Sequence, residues 1–240
     1  MANFFDYDTP HSHAKRQLVQ KFVASVIPRH LKDLSVFEEN RFAMRYVDAF
    51  AGKGSFGRDD DPTVASFNEG RECEFYNDCK NCKVCKTGTP IIAVAVLLNH
   101  MQKLMHKEST QNQLDSIQLT RLNTVEFIFN DSNDDYIKAL YLKISACFQT
   151  LNWEETNVDL SSYKKCYKAV EFEGPFLQFI RIYFTNYEFQ EMSFLADLEP
   201  ETCILIDPFG VADIPMPIVR KLVGNGKHVL LNLMVATLDR

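Results

Sequence analysis

No long hydrophobic run is present in this sequence of 240 residues. The longest wholly apolar stretch, Ile91 to Leu98, has eight residues, against roughly 18 for a membrane-spanning helix. The N-terminus (Met1-Ala2-Asn3-Phe4-Phe5-Asp6-Tyr7-Asp8) lacks a basic start followed by an apolar stretch, so it carries no signal-peptide pattern. An intracellular protein, cytoplasmic or nuclear and without a membrane partner, is the expectation. Glycine is scarce, at 9 residues, and no Gly-, Pro- or Ser-rich linker, repeat or low-complexity tract occurs. Gly-x-Ser-x-Gly, His-Glu-x-x-His and a Walker lysine are all missing, which removes support for hydrolase and nucleotidase chemistry. Basic charge is not in excess either. The net charge of −6 excludes a generally basic nucleic-acid coat, so nucleic-acid binding would need a local patch, a protein partner or further chain.

What is present is apolar and aromatic. Hydrophobic residues make up 46 % of the chain, with 19 Phe and 9 Tyr, enough for a sizeable core in a single domain. Leu18, Val19, Phe22, Val23, Val26 and Ile27 recur at helical spacing up to Pro28. Phe42 to Phe50 reads as a first strand ending in the turn Ala51-Gly52-Lys53-Gly54. Residues 55–87 are mostly polar and read as an insertion. Thr89-Pro90 opens a helix running to Lys107. Val125 to Phe129 predicts a strand, and Asp134 to Leu151 a helix. Residues 152–165 read as irregular, Tyr167 to Phe172 as a third strand and Pro175 to Leu195 as a helix. Cys203 to Ile206 is a fourth strand, Pro215 to Gly224 a helix and His228 to Met234 a fifth strand. Continuous apolar strands alternating with helices predict an α/β fold with a doubly wound, mainly parallel sheet. The chain ends six residues past the fifth strand, an abrupt stop suggesting truncation of a longer protein.

Ligands of open α/β sheets bind beyond the carboxyl ends of the strands. Three acidic positions fall there. Asp48 precedes the glycine turn, whose bare backbone admits close approach, although a tight turn alone accounts for the glycines equally well. Asp131 follows the second strand, where a carboxylate can accept from both ribose hydroxyls; a helix cap is its other reading. Asp207-Pro208-Phe209-Gly210 follows the fourth strand. Asp207 could hold an amino group and Phe209 could stack on a base, or the motif could be a turn.

Four of the seven cysteines, Cys73, Cys79, Cys82 and Cys85, are spaced C-x5-C-x2-C-x2-C. Four thiolates this close suit tetrahedral zinc, which would fold a polar insertion lacking its own core. The run is also part of an iron–sulfur pattern, and unliganded thiols are the third reading.

Tyr46-Val47-Asp48-Ala49-Phe50-Ala51-Gly52-Lys53-Gly54, Gly88-Thr89-Pro90, Phe127 to Asp131, Ile206-Asp207-Pro208-Phe209-Gly210 and the early His11-Ser12-His13-Ala14-Lys15 together resemble the three-Cys-motif partner proteins. The resemblance covers nearly all of the chain apart from 55–87. It implies a Rossmann-like, class I S-adenosylmethionine-dependent methyltransferase fold. The cysteine motif of that family's name belongs to a partner, not to Cys73–Cys85. Asp-Pro-Phe-Gly is also similar to the motif of tRNA guanine-N2 methyltransferases, where many amino-methylating enzymes have Asp-Pro-Pro-Tyr; the target atom stays open. On this resemblance Asp48, Ala51, Gly52, Gly54 and Asp131 would bind the cofactor, with Glu171 or Glu173 reaching its adenine. Asp207, Pro208 and Phe209 would form the catalytic motif, acting on an amine of a nucleic-acid base. The rivals are a catalytically silent methyltransferase-like scaffolding subunit and a metal-dependent nuclease using the same carboxylates.

Overall fold

The computed structural model describes residues 17–26, 44–54, 88–108, 125–159, 163–173, 180–198, 202–208 and 214–232. Seven strands form one sheet: β1 (Met44–Asp48), β2 (Val125–Asn130), β3 (Glu154–Asn157), β4 (Cys166–Glu173), β5 (Ile180–Thr185), β6 (Thr202–Ile206) and β7 (His228–Leu231), in the order β3-β4-β5-β2-β1-β6-β7. β5, β2, β1, β6 and β7 are mutually parallel, whereas β4 and β3 run antiparallel at one edge. The protein is therefore α/β with a mixed, mostly parallel sheet. Numbered among themselves, the parallel strands stand in the order 3-2-1-4-5. Chain direction across the sheet reverses between β1 and β6, the position at which open α/β sheets hold ligands.

Helices cover both faces. Helix α1 (17–26), α2 (Thr89–Glu108) and α3 (Asp134–Thr150) bury Val19, Leu97, Leu140 and Phe148 against Tyr46, Phe127, Phe129 and Phe184. Across the sheet, the 3-10 segment Phe189–Asp197 and α4 (Met216–Gly224) bury Leu195 and Leu222 against Val47, Ile128 and Ile204. This two-sided burial explains why β1, β2 and β6 are buried at every position and are largely apolar on both faces rather than alternating, apart from Arg45, Asp48, Glu126 and a few uncharged polar residues.

Three expectations are corrected. The helix expected from Pro175 to Leu195 is replaced, over its described part, by β5 and the 3-10 segment. Ile-Arg-Ile-Tyr-Phe-Thr is rich in β-branched and aromatic residues, and its charged member, Arg181, is paired with Glu171 across the sheet at 2.7 Å. The segment after it buries Phe189, Met192 and Leu195, a spacing of three that suits the 3-10 turn. The supposedly irregular stretch 152–165 contains β3, whose polar Glu-Glu-Thr-Asn is tolerated because an edge strand needs no apolar face. The third expected strand exists as β4 but runs antiparallel to β5, so its carboxyl end lies at the opposite edge of the sheet from the other strand ends. Helix α3, in contrast, lies within one residue of its expected span.

The turn after β1 is locked onto the helices. The Gly88 N–H donates to the Gly54 carbonyl at 2.8 Å. A Cβ on Gly88 would meet the Gly54 carbonyl carbon at 2.7 Å and its oxygen at 2.9 Å, and backbone cannot swing aside as a side chain does. Gly88→Ala is expected to lower stability by about 1–3 kcal/mol through this overpacking, read as a reduced urea midpoint; an unchanged midpoint would show that the turn shifts freely.

Candidate functional site at the tips of the parallel strands

Two carboxylates clasp one turn. Asp48, fully buried at the end of β1, accepts through Oδ1 from the Phe50 N–H at 3.2 Å and through Oδ2 from the Thr89 hydroxyl at 2.6 Å. It thereby joins β1 to the first turn of α2. Asp131, 7 % exposed just past β2, accepts through Oδ2 from the Gly52 N–H at 3.0 Å and through Oδ1 from the Asn133 N–H at 2.9 Å. Gly52 and Gly54 both have positive φ, 61° and 75°, a conformation that favours glycine. The turn Ala51–Gly54 is buried throughout.

The helix-cap reading of Asp131 is settled by its neighbour. The N-cap of α3 is Asn133, whose side chain accepts from the Asp135 and Tyr136 N–H groups. Asp131 instead binds the glycine turn. Each of its oxygens takes one backbone donor among the described residues, and a carboxylate oxygen has a second lone pair. Burial, opposed by those two donors, raises its pKa above the ordinary carboxylate value of 3.8. A buried carboxylate with acceptor capacity in hand suits a ligand that brings hydroxyl donors.

Beside Asp48, the register Asp48↔Leu205 sets Asp207 one step past the end of β6. Asp207 is 4 % exposed and its Oδ1 accepts from the Asn232 side chain at 2.7 Å. The Asn232 N–H in turn donates to the Ile206 carbonyl at 2.9 Å, so the end of β7 fixes the orientation of Asp207. Pro208 is buried. Phe209 lies outside the described residues, as do Cys73, Cys79, Cys82 and Cys85; among the described residues no group of three or more metal-ligating side chains occurs.

Asp48, Ala51, Gly52, Gly54 and Asp131 thus come together, and Asp207 stands at the adjacent tip. Gly54 has a packing task as well, and one expected placement, that of Glu171 or Glu173, changes. The missing Cβ of Gly54 faces inward, where it would lie 2.5 Å from Leu140 Cδ1 and 3.3 Å from Ile91 Cδ1; this glycine seats the turn on the helices. Glu173 ends antiparallel β4, opposite Glu154 and one residue past the Phe172↔Ile180 pair, at the amino edge of the parallel strands. Neither it nor Glu171, which pairs with Arg181, is brought to the tips.

A residue that sequence reading passed over organises the site. Asn130 is 1 % exposed. Its Nδ2 donates to the Ala49 carbonyl at 3.1 Å and the Tyr187 carbonyl at 2.9 Å. Its Oδ1 accepts from the Thr185 hydroxyl at 3.0 Å and the Tyr187 N–H at 2.8 Å. Together with the Ala51 N–H donating to the Asn130 carbonyl at 2.7 Å, it ties the tips of β1, β2 and β5 into one unit. The signal for it was a polar residue closing an otherwise apolar strand.

These features define an α/β protein with paired acidic strand tips around a buried glycine turn at the point where strand order reverses. Comparison with family models, curated proteins and solved structures finds no match. No helix among the described residues is long and apolar enough to cross a membrane.

Proposed function

We propose that the chain is an S-adenosylmethionine-dependent methyltransferase with a Rossmann-like fold, related to the three-Cys-motif partner proteins and acting on an amine of a nucleic-acid base. The observation that carries this reading is Asp131, a buried carboxylate that holds the Gly52 N–H and keeps a lone pair on each oxygen for ribose hydroxyls. The parallel-strand order 3-2-1-4-5 supports it, because the reversal puts the tips of β1 and β6 side by side. When bound, S-adenosylmethionine supplies a methyl group on a sulfonium. Asp131 would hold the ribose, Ala51 and Gly52 would line the methionine portion, and Asp48 would keep the turn in shape through Phe50 and Thr89. Asp207, oriented by Asn232, would accept a hydrogen bond from the target amine and keep its nitrogen in line for attack, with Phe209 stacked on the base. Such a base would leave its duplex to arrive there. Zinc on Cys73, Cys79, Cys82 and Cys85 belongs to the same proposal, on their spacing alone.

A second reading, a catalytically silent scaffolding subunit, is favoured by the complete burial of the turn. Asp207→Ala separates the roles. Transfer of labelled methyl to nucleic acid is expected to fall roughly 100-fold or more through lost positioning, with S-adenosylmethionine affinity kept. Loss of cofactor binding in that variant would contradict the role given to Asp207.

A further inference from the structure

On the face of the sheet carrying Val47 and Ile128, the amino half of the strands is polar. Strand register aligns Glu171 with Arg181, Arg181 with Glu126, Glu126 with Arg45 and Arg45 with Thr202. A row of alternating charge ending in a hydroxyl thus crosses five strands. Arg45 and Glu126, 8 % and 2 % exposed, are joined by Arg45 Nε to Glu126 Oε2 at 2.7 Å. Arg181 reaches Glu171 Oε2 through Nη2 at 2.7 Å. Its Nη1 stands 3.6 Å from Glu126 Oε1, too far for a direct hydrogen bond. Thr202 Oγ1 is buried with no partner among the described residues. Over this row opens a cavity of about 650 Å³ lined by Arg45, Glu126, Arg181, Tyr163, Tyr183 and Phe194, among others. The Tyr163 ring lies 4.7 Å from Tyr183 and 5.4 Å from Phe194, edge-on and tilted.

We infer that this cavity is a binding site, separate from the strand tips, for a neutral planar heterocycle carrying N–H donors beside an acceptor, the hydrogen-bonding pattern of a nucleobase. Its volume is that of a small-molecule site. The charge pattern selects the ligand by elimination. Around the opening Arg45, Lys164 and Arg181 are balanced by Glu126, Glu191 and Asp197, so an anion or a cation meets like charge, and an apolar molecule would strip water from all of them without replacing its hydrogen bonds. A flat molecule offering both donor and acceptor can bridge the 3.6 Å gap between Arg181 Nη1 and Glu126 Oε1, receiving from the first and donating to the second. The Tyr163 and Phe194 rings, packed on each other at 5.4 Å, would together supply one stacking wall.

This inference does not rest on the methyltransferase reading, and the test keeps the two apart. The free bases adenine, hypoxanthine, cytosine and uracil, which lack the ribose that Asp131 would hold, are titrated into the full chain by calorimetry. At least one is expected to bind, Tyr163→Ala and Phe194→Leu to weaken it about tenfold, as loss of a stacking wall requires, and Asp131→Ala to leave it unchanged. S-adenosylmethionine affinity, measured alongside, is expected to be the same in Tyr163→Ala as in the wild type. Circular dichroism checks that each variant is folded, and either wall variant suffices. The inference is overturned if no base binds, if binding survives both wall substitutions, or if Asp131→Ala abolishes it and so moves the base to the strand tips.

Discussion

Glu126→Ala is expected to destabilise the protein by about 3–5 kcal/mol, the cost of taking the carboxylate out of a buried ion pair. Glu126 is 2 % exposed and Arg45 8 %, and the Arg45 guanidinium meets Glu126 Oε2 through both Nε and Nη2. Alanine leaves that guanidinium facing Arg181, a like charge, across the polar row. Removing both members of the pair is a different experiment. The pair lost a great deal of hydration on burial, so an Arg45→Met/Glu126→Leu double variant is expected to be near neutral or even more stable. A urea series on the three proteins decides the matter. If Glu126→Ala costs under about 1 kcal/mol, the pair behaves as a solvated surface pair, and the polar row is not the buried feature described above.

The second large effect falls at the strand tips. Asn130→Ala deletes two donated and two accepted hydrogen bonds and strands the buried Tyr187 N–H, while the Thr185 hydroxyl keeps only the Phe129 carbonyl at 3.4 Å. A loss of about 3 kcal/mol is expected, since each buried group left unsatisfied costs on the order of 1–3 kcal/mol. Asn130→Asp sharpens the test. A carboxylate can still accept from Tyr187 and Thr185 but cannot donate to the Ala49 and Tyr187 carbonyls, and it adds charge one residue from Asp131. It is expected to be no better than alanine. Recovery of wild-type stability in Asn130→Asp would mean that only the accepting half of the network matters.

How legible was this in the sequence? Helix α3 was, because Ile137, Leu140 and Ile144 repeat with helical period and pack on one face. The first strand and its turn were as well, since an apolar run stopping at Asp48 and Gly52 has few other readings. β5 was not. Arg181 interrupts its apolar run, and its partners Glu171 and Glu126 lie 10 and 55 positions away in the chain (181 − 171 and 181 − 126). β3 was hidden for the opposite reason: a short polar edge strand has no hydrophobic pattern to read. At the site, the acidic tips announced themselves through their position after apolar runs. Their internal tasks did not, because the Asp48–Thr89 and Asp131–Gly52 bonds span 41 and 79 residues. The misplacement of Glu173 follows from strand direction, which composition does not encode: an antiparallel β4 carries its last residue to the far edge.

The most direct test of the strand-tip pocket is calorimetric titration of S-adenosylmethionine into the wild type and Asp131→Ala. The wild type is expected to bind, and the variant to bind roughly 100-fold more weakly, the value of two hydrogen bonds to a charged acceptor. No binding by the folded wild type, or equal affinity in the two proteins, would contradict the account.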